Sequence, residues 1–169
     1  MLHIRVTRPT WNEIQSDLSR AHPFASERVG FMFGRSEQVS KGQWLTIANE
    51  YVPVADSSYV DDIHAGATID ESAIRTAIQH ALDTGKSAFH VHRHDHLGVP
   101  WLSRIDRVTT REIAAPLLVV APAVPHGAIV LSRDSAFAVG YFEHGGCPDA
   151  GFVSVIGAPS TIRMGVDGR

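Results

Sequence analysis

The chain has 169 residues, 44% hydrophobic and 20% charged, with a formal net charge of −3, the balance of a single globular domain with a real core. That charge leaves no footprint for nucleic acid or an anionic membrane surface, and the single cysteine, Cys147, excludes an intrachain disulfide framework and a cysteine-rich zinc site. The most apolar stretch, Ile113 to Val124, is too short to span a bilayer, and Met1-Leu2-His3-Ile4-Arg5 lacks the layout of a signal peptide, so a cytoplasmic protein is expected.

His3 to Thr7 alternates weakly and reads as a first strand. Thr10-Trp11-Asn12-Glu13 fits a capping box, and Trp11, Ile14, Leu18 and Ala21 fall on one helix face, which should end near His22-Pro23. Val29 to Phe33 is a short apolar run read as a buried strand, with Glu27 just before it. Gln43 to Val54 is a longer, more alternating strand anchored by Leu45, Ile47 and Val52. Ala55 to Thr68 is polar and irregular, a loop that no core requires, and such loops often bind. His64 lies in it as a surface residue. Thr68-Ile69-Asp70-Glu71 is a second capping box, and Ile74, Ala77, Ile78, Ala81 and Leu82 form a helical stripe stopped by Gly85.

Lys86 to His92 reads as a strand. After a loop carrying Gly98 and Pro100, Ser103 opens a helix. Ile113 to Val124 is ambiguous: its branched residues favour a strand, but Pro116 and Pro122 make a regular central strand unfavourable. His126 to Ser132 and Ala136 to Glu143 form a hairpin about the turn Arg133-Asp134-Ser135. Gly145-Gly146-Cys147-Pro148 is a break, and Phe152 to Ile156 is one more strand. Residues 1–160 should form one domain and 161–169 a loose tail. The fold class is α/β: one mixed β-sheet flanked by helices.

The segment from Phe89 to Asp106 carries the chemistry. It holds His90, His92, His94 and His96, four histidines in seven residues. In an extended strand alternate side chains point the same way, so His90, His92 and in extension His94 share a face. Two such imidazoles can grip one divalent cation. Neutral imidazole suits zinc, and a carboxylate can complete a three-ligand set that leaves a position for water. Asp106 is the candidate carboxylate, held at N3 of a helix capped by Ser103. A lone His-x-His pair is usually without meaning, and a serine three residues before an acid is often only a cap. Four alternating histidines are hard to bury or expose without a reason.

Three pieces then stand in order: Glu27-Arg28-Val29-Gly30 at a strand start, His90-Val91-His92 at a strand end, and Ser103-Arg104-Ile105-Asp106. This set resembles the signature of the JAB/MPN/JAMM metalloprotease family, over most of the chain in element order. The resemblance implies an MPN/JAB-like fold of cytidine-deaminase-like architecture and a zinc hydrolase, one Zn²⁺ per chain. It implies cleavage of a peptide or isopeptide bond at the C-terminus of a ubiquitin-like protein or its conjugates. By the same likeness His90, His92 and Asp106 would be ligands, Glu27 the general acid/base, and Ser103 the oxyanion donor. The family's loop from second histidine to serine is shorter than the ten residues between His92 and Ser103, or the eight between His94 and Ser103. The apolar lead-in Ala88-Phe89 favours His90 and His92, with His92 and His94 as the alternative pair. His94 and His96 would then lie at the mouth of the site as substrate contacts. The likeness extends to stand-alone prokaryotic proteins of ubiquitin-like conjugation systems, including antiviral ones, where the loop from Ala55 to Thr68 would contact the modifier.

Rival readings are a zinc peptidase of a sulfur-carrier or small-adduct pathway, which would use the same site, and a non-catalytic MPN scaffold, which would usually have lost ligands. Ser103 lacks a G-x-S-x-G setting, and Cys147 beside His144 looks more like part of a turn than a thiol nucleophile.

Overall fold

A computed structural model describes residues 1–62, 64–142 and 149–157 of the chain. The expected break at Gly145 to Pro148, the Cys147–His144 pair, the end of the hairpin at Glu143 and the tail 161–169 lie outside the described residues. Strand β1 (Leu2–Val6) buries Leu2, Ile4 and Val6 and turns His3 and Arg5 outward. It lies between two parallel neighbours, β3 (Gln43–Pro53) and β9 (Asp149–Val155). Strand β2 (Val29–Ser40), longer than the apolar run alone suggests, pairs antiparallel with β3 and with β6 (Ser87–Arg93). Strand β6 runs parallel to β7 (His126–Leu131), which pairs antiparallel with β8 (Ala136–Tyr141), and β8 with β9.

The seven strands thus close on themselves in the order β1-β3-β2-β6-β7-β8-β9. The α/β class holds, but the expected sheet flanked by helices is corrected to a closed barrel. Strand β1 gives one edge to β3 and the other to β9, so neither end of the sheet stays unpaired. Alternation within a strand reports which face is buried, not which strand lies beside it.

Helix α1 (Arg8–Leu18) starts before the expected Thr10 cap: Thr7 is the N-cap, with a proline in the first turn, where a missing N–H costs nothing. It stops at Leu18, short of His22-Pro23. Beyond it the carbonyls of Arg20 and Ala21 accept from the Arg28 guanidinium at 3.1 and 3.3 Å, and the same group reaches Asp56 at 2.8 Å. Those carbonyls are therefore satisfied by a side chain in place of helical amides. Ile14 and Leu18 of α1 join Leu2, Ile4, Val6, Met32, Phe89 and Val91 in one core cluster.

The described residues between Ala55 and Thr68 hold more secondary structure than the expected loop. They include a 3₁₀ turn (Asp56–Ser58) and strand β4 (Tyr59–Val60), which pairs with β5 (Thr68–Ile69). Buried Tyr59 anchors them, its hydroxyl accepting from Val29 N at 2.7 Å. Helix α2 (Glu71–Thr84) is capped by Asp70, not Thr68, with Ala73 N donating to the carboxylate at 2.9 Å. It ends as expected at Gly85, whose φ of 63° favours a residue without Cβ.

Helix α3 (Arg104–Val120) runs straight through Pro116, so the ambiguous apolar stretch is helical to Val120. Ile113 and Leu117 are buried with Val29, Phe31, Phe33, Ala77, Ala81 and Ala88. Burying each large side chain stabilises by about 1.5–3 kcal/mol, enough together to offset the ~3 kcal/mol cost of an interior proline. Fully buried His126 ties the end of α3 to β6: its Nε2 donates to Ala121 O at 2.9 Å and its Nδ1 accepts from Ala88 N at 3.1 Å. Helices α2 and α3 pack together over the face of β6 that carries Ala88, while Phe89 and Val91 enter the other cluster. By the strand's alternation His90 and His92 belong to the Ala88 face. Among the described residues no helix is long and apolar enough to cross a membrane.

Candidate metal centre

Three chain segments converge at the end of β6. The first is β6 itself, whose register sets His90 opposite Phe31 and Ala128, and His92 opposite Val29 and Val130. One residue beyond the strand, His94 N donates to Leu131 O at 2.9 Å. The extended course continues, and His94 projects on the same side as His92. The second is Glu27, just before β2, whose backbone N–H donates to Gly66 O at 3.0 Å. The third is the first turn of α3. There Asp106 N donates to Ser103 Oγ at 3.1 Å, and Ser103 N to Asp106 Oδ2 at 2.7 Å. This reciprocal cap fixes the carboxylate on the helix N-terminus.

Ligand atoms of Glu27, His92 and His94 all lie within 4.8 Å of one another, an arrangement that could hold a metal ion. Asp106 spans the same histidines: Oδ1 is 3.5 Å from His92 Nε2, and Oδ2 is 3.6 Å from His94 Nε2. His94 Nε2 also stands 3.9 Å from Glu27 Oε1. The expected elements therefore meet, with one shift of position: the histidines facing the two carboxylates are His92 and His94. His90 lies one step deeper, its ring 5.4 Å from that of His92 and 5.8 Å from that of Phe31. His96 lies one step further out, its ring 5.9 Å from that of His94 and stacked on Trp101 at 5.1 Å. Trp101 is 62% exposed.

Burial separates the charges of these groups. It pushes His92 down to about 4, the nearby Asp106 opposing the fall, and His90 down to about 3. Both rings are therefore neutral near pH 7, as metal ligation requires. The Asp106 carboxylate, 3.6 Å away, raises His94 against its burial, with Glu27 adding to the rise. Burial also raises Glu27, against the pull of His94. Asp106 goes the other way: burial would raise it, but His94, Ser103 and His92 hold it well below the usual carboxylate range. One carboxylate is held ionised against two imidazoles, and the other is drawn toward protonation.

The residues fit a metal on an observation of their own. His92 is 2% exposed, and neither of its ring nitrogens has a hydrogen-bond partner. An unpaired buried polar atom costs about 1–3 kcal/mol, and a metal bond to one imidazole nitrogen removes that cost. Glu27, His92 and His94 supply one carboxylate and two imidazoles, donors that could hold a metal ion, with the Asp106 carboxylate beside both histidines.

Residues of the 55–68 segment that touch the site escape a reading by motif. Gly66 packs directly on Glu27: a Cβ built there would stand 2.6 Å from Glu27 Cδ and 2.8 and 2.9 Å from its carboxylate oxygens. A glycine in a polar loop carries no local signal of such an approach. His64, by contrast, is exposed as expected. No protein-family model matches the chain, and no curated protein matches it.

Proposed function

We propose that the protein is a zinc-dependent hydrolase of JAMM type. It would cleave a peptide or isopeptide bond at the C-terminus of a ubiquitin-like protein, in maturation or deconjugation of the modifier. The observation that carries this reading is the convergence of His92, His94, Asp106 and Glu27 at one strand end, with His92 buried and neither of its ring nitrogens hydrogen-bonded. His92, His94 and Asp106 would hold the ion. Asp106 is favoured over Glu27 as the third ligand because it lies nearer both histidines and is held ionised.

Bound zinc would supply a Lewis acid and lower the pKa of a water to roughly 7. Glu27, raised by burial, is suited to take that water's proton and deliver it to the leaving amine. Ser103 accepts a backbone N–H through its oxygen, so its own hydroxyl hydrogen remains to donate to a developing oxyanion. His96 and exposed Trp101 line the approach and suit substrate contact.

The test is metal content and cleavage together. Wild type and Glu27→Ala should each hold one zinc per chain, and only wild type should cleave a ubiquitin-like protein carrying a C-terminal extension. A wild type that holds no zinc under any preparation would sink the hydrolase reading.

A further inference from the structure

Among the described residues of the 55–68 segment, Gly66 reaches the site, and there it meets the proposed proton carrier. Gly66 O accepts from Glu27 N at 3.0 Å and from Ser26 Oγ at 3.2 Å. The open side of Gly66 is filled by the Glu27 carboxyl, so that even a single Cβ would overlap it. The backbone of Gly66 lies outside the left-handed region, where only Gly42, Gly85, Gly98 and Gly157 are found among the described residues. Its φ therefore does not itself call for glycine; what a side chain would meet here is the Glu27 carboxyl, the flexible end of that side chain, which would have to shift. The approach to Gly66 is clamped by Asp62, whose two carboxylate oxygens accept from His64 N at 2.9 Å and Thr68 Oγ1 at 3.0 Å. Thr68 continues into β5 and its pairing with β4.

We infer that Gly66 is a positioning residue for Glu27: its carbonyl fixes the Glu27 backbone, and its bare Cα sets where the carboxylate stands beside His94. This rests on the hydrolase reading for its catalytic consequence, though not for the contact itself. The segment that a substrate protein would touch and the group that moves the proton are then one mechanical unit. A displacement of the turn at 64–68 moves Glu27, while His92, His94 and Asp106, held by β6 and the α3 cap, stay in place.

The experiment compares wild type with Gly66→Ala, both zinc-loaded, using a ubiquitin fusion with a C-terminal peptide. Expected are one zinc per chain, an unchanged melting midpoint, an unchanged KM, and kcat lower by about 10²-fold, the scale of an ångström misplacement of a reacting group. A wild-type kcat overturns the inference. A second readout needs no activity: the ¹³C signal of Glu27 Cδ in glutamate-labelled metal-free protein, assigned with Glu27→Gln. It should move in Gly66→Ala; an unmoved signal overturns the inference. If wild type itself cleaves nothing, the hydrolase reading fails, and the Cδ signal alone decides whether Gly66 sets the carboxylate. Should Gly66→Ala not fold, Asp62→Ala releases the turn and leaves Gly66 intact. The same Cδ shift and a lowered kcat then support the inference, and wild-type values refute it.

Discussion

Replacing His94 by alanine and His90 by leucine, one at a time, separates the two histidine pairs the sequence allows. The geometry sets the expected sizes. His94 Nε2 lies 3.6 Å from Asp106 Oδ2, and His92 Nε2 lies 3.5 Å from Oδ1. His94 is also one of the three residues, with Glu27 and His92, whose ligand atoms lie within 4.8 Å of one another, so losing it removes a member of that group. Zinc affinity should fall by more than the ~10–100-fold that losing a residue behind a ligand costs, which is above about 2.7 kcal/mol. His90 faces Phe31 and has an unpartnered Nδ1. Leucine there keeps most of the volume and removes an unsatisfied polar atom. His90→Leu should retain zinc, with stability within about 1.5 kcal/mol of wild type. Competition with a chromophoric chelator gives the affinities, and urea unfolding of the metal-free proteins gives the stabilities. Tight zinc in His94→Ala together with lost zinc in His90→Leu would refute the reasoning and restore the deeper pair.

Metal-free protein should lose stability on acidification. His92 falls from 6.5 to about 4 and His90 to about 3 on folding, so below pH 6.5 the unfolded chain binds more protons. Their contribution is full above pH 6.5 and lost toward pH 4–3; His92 alone amounts to on the order of 3 kcal/mol. His94, raised on folding, opposes this above pH 6.5, and a flat unfolding free energy from pH 7 to 4 would contradict the assignment. Ser103→Ala should cost about 1 kcal/mol through its cap and lower kcat by about 10²–10³ with zinc retained; a wild-type kcat would remove Ser103 from the chemistry. His126→Leu leaves Ala88 N and Ala121 O without the partners they have now. It should cost about 1–3 kcal/mol for each group left buried and unpaired, read as a lower urea midpoint at an unchanged slope.

Much of the candidate centre was legible because its residues are set by local rules. Alternation along β6 puts His90, His92 and His94 on one face, and three-residue spacing puts Asp106 back onto Ser103 in a helix cap. Glycine at position 85 stopped α2 for a purely local reason, its left-handed φ. These features depend on neighbours one to four residues away, and the chain order carries that distance.

Other features depend on neighbours far along the chain, and there the tertiary structure decided. Which two of three equivalent histidines meet Asp106 follows from where β6 ends against β7 and where α3 begins, since His94 is held extended by Leu131. The helix through Pro116 forms because Ile113 and Leu117 find a core on β2, β6 and α2 that outweighs their own preference. The sheet closes because β1 pairs with β9, 149 residues apart at Leu2 and Gly151. Glycine at 66 makes sense only beside a carboxylate 39 residues earlier in the chain. Periodicity and spacing encode which face a residue shares with its near neighbours, whereas the partner across a gap in sequence is chosen by how the buried faces pack.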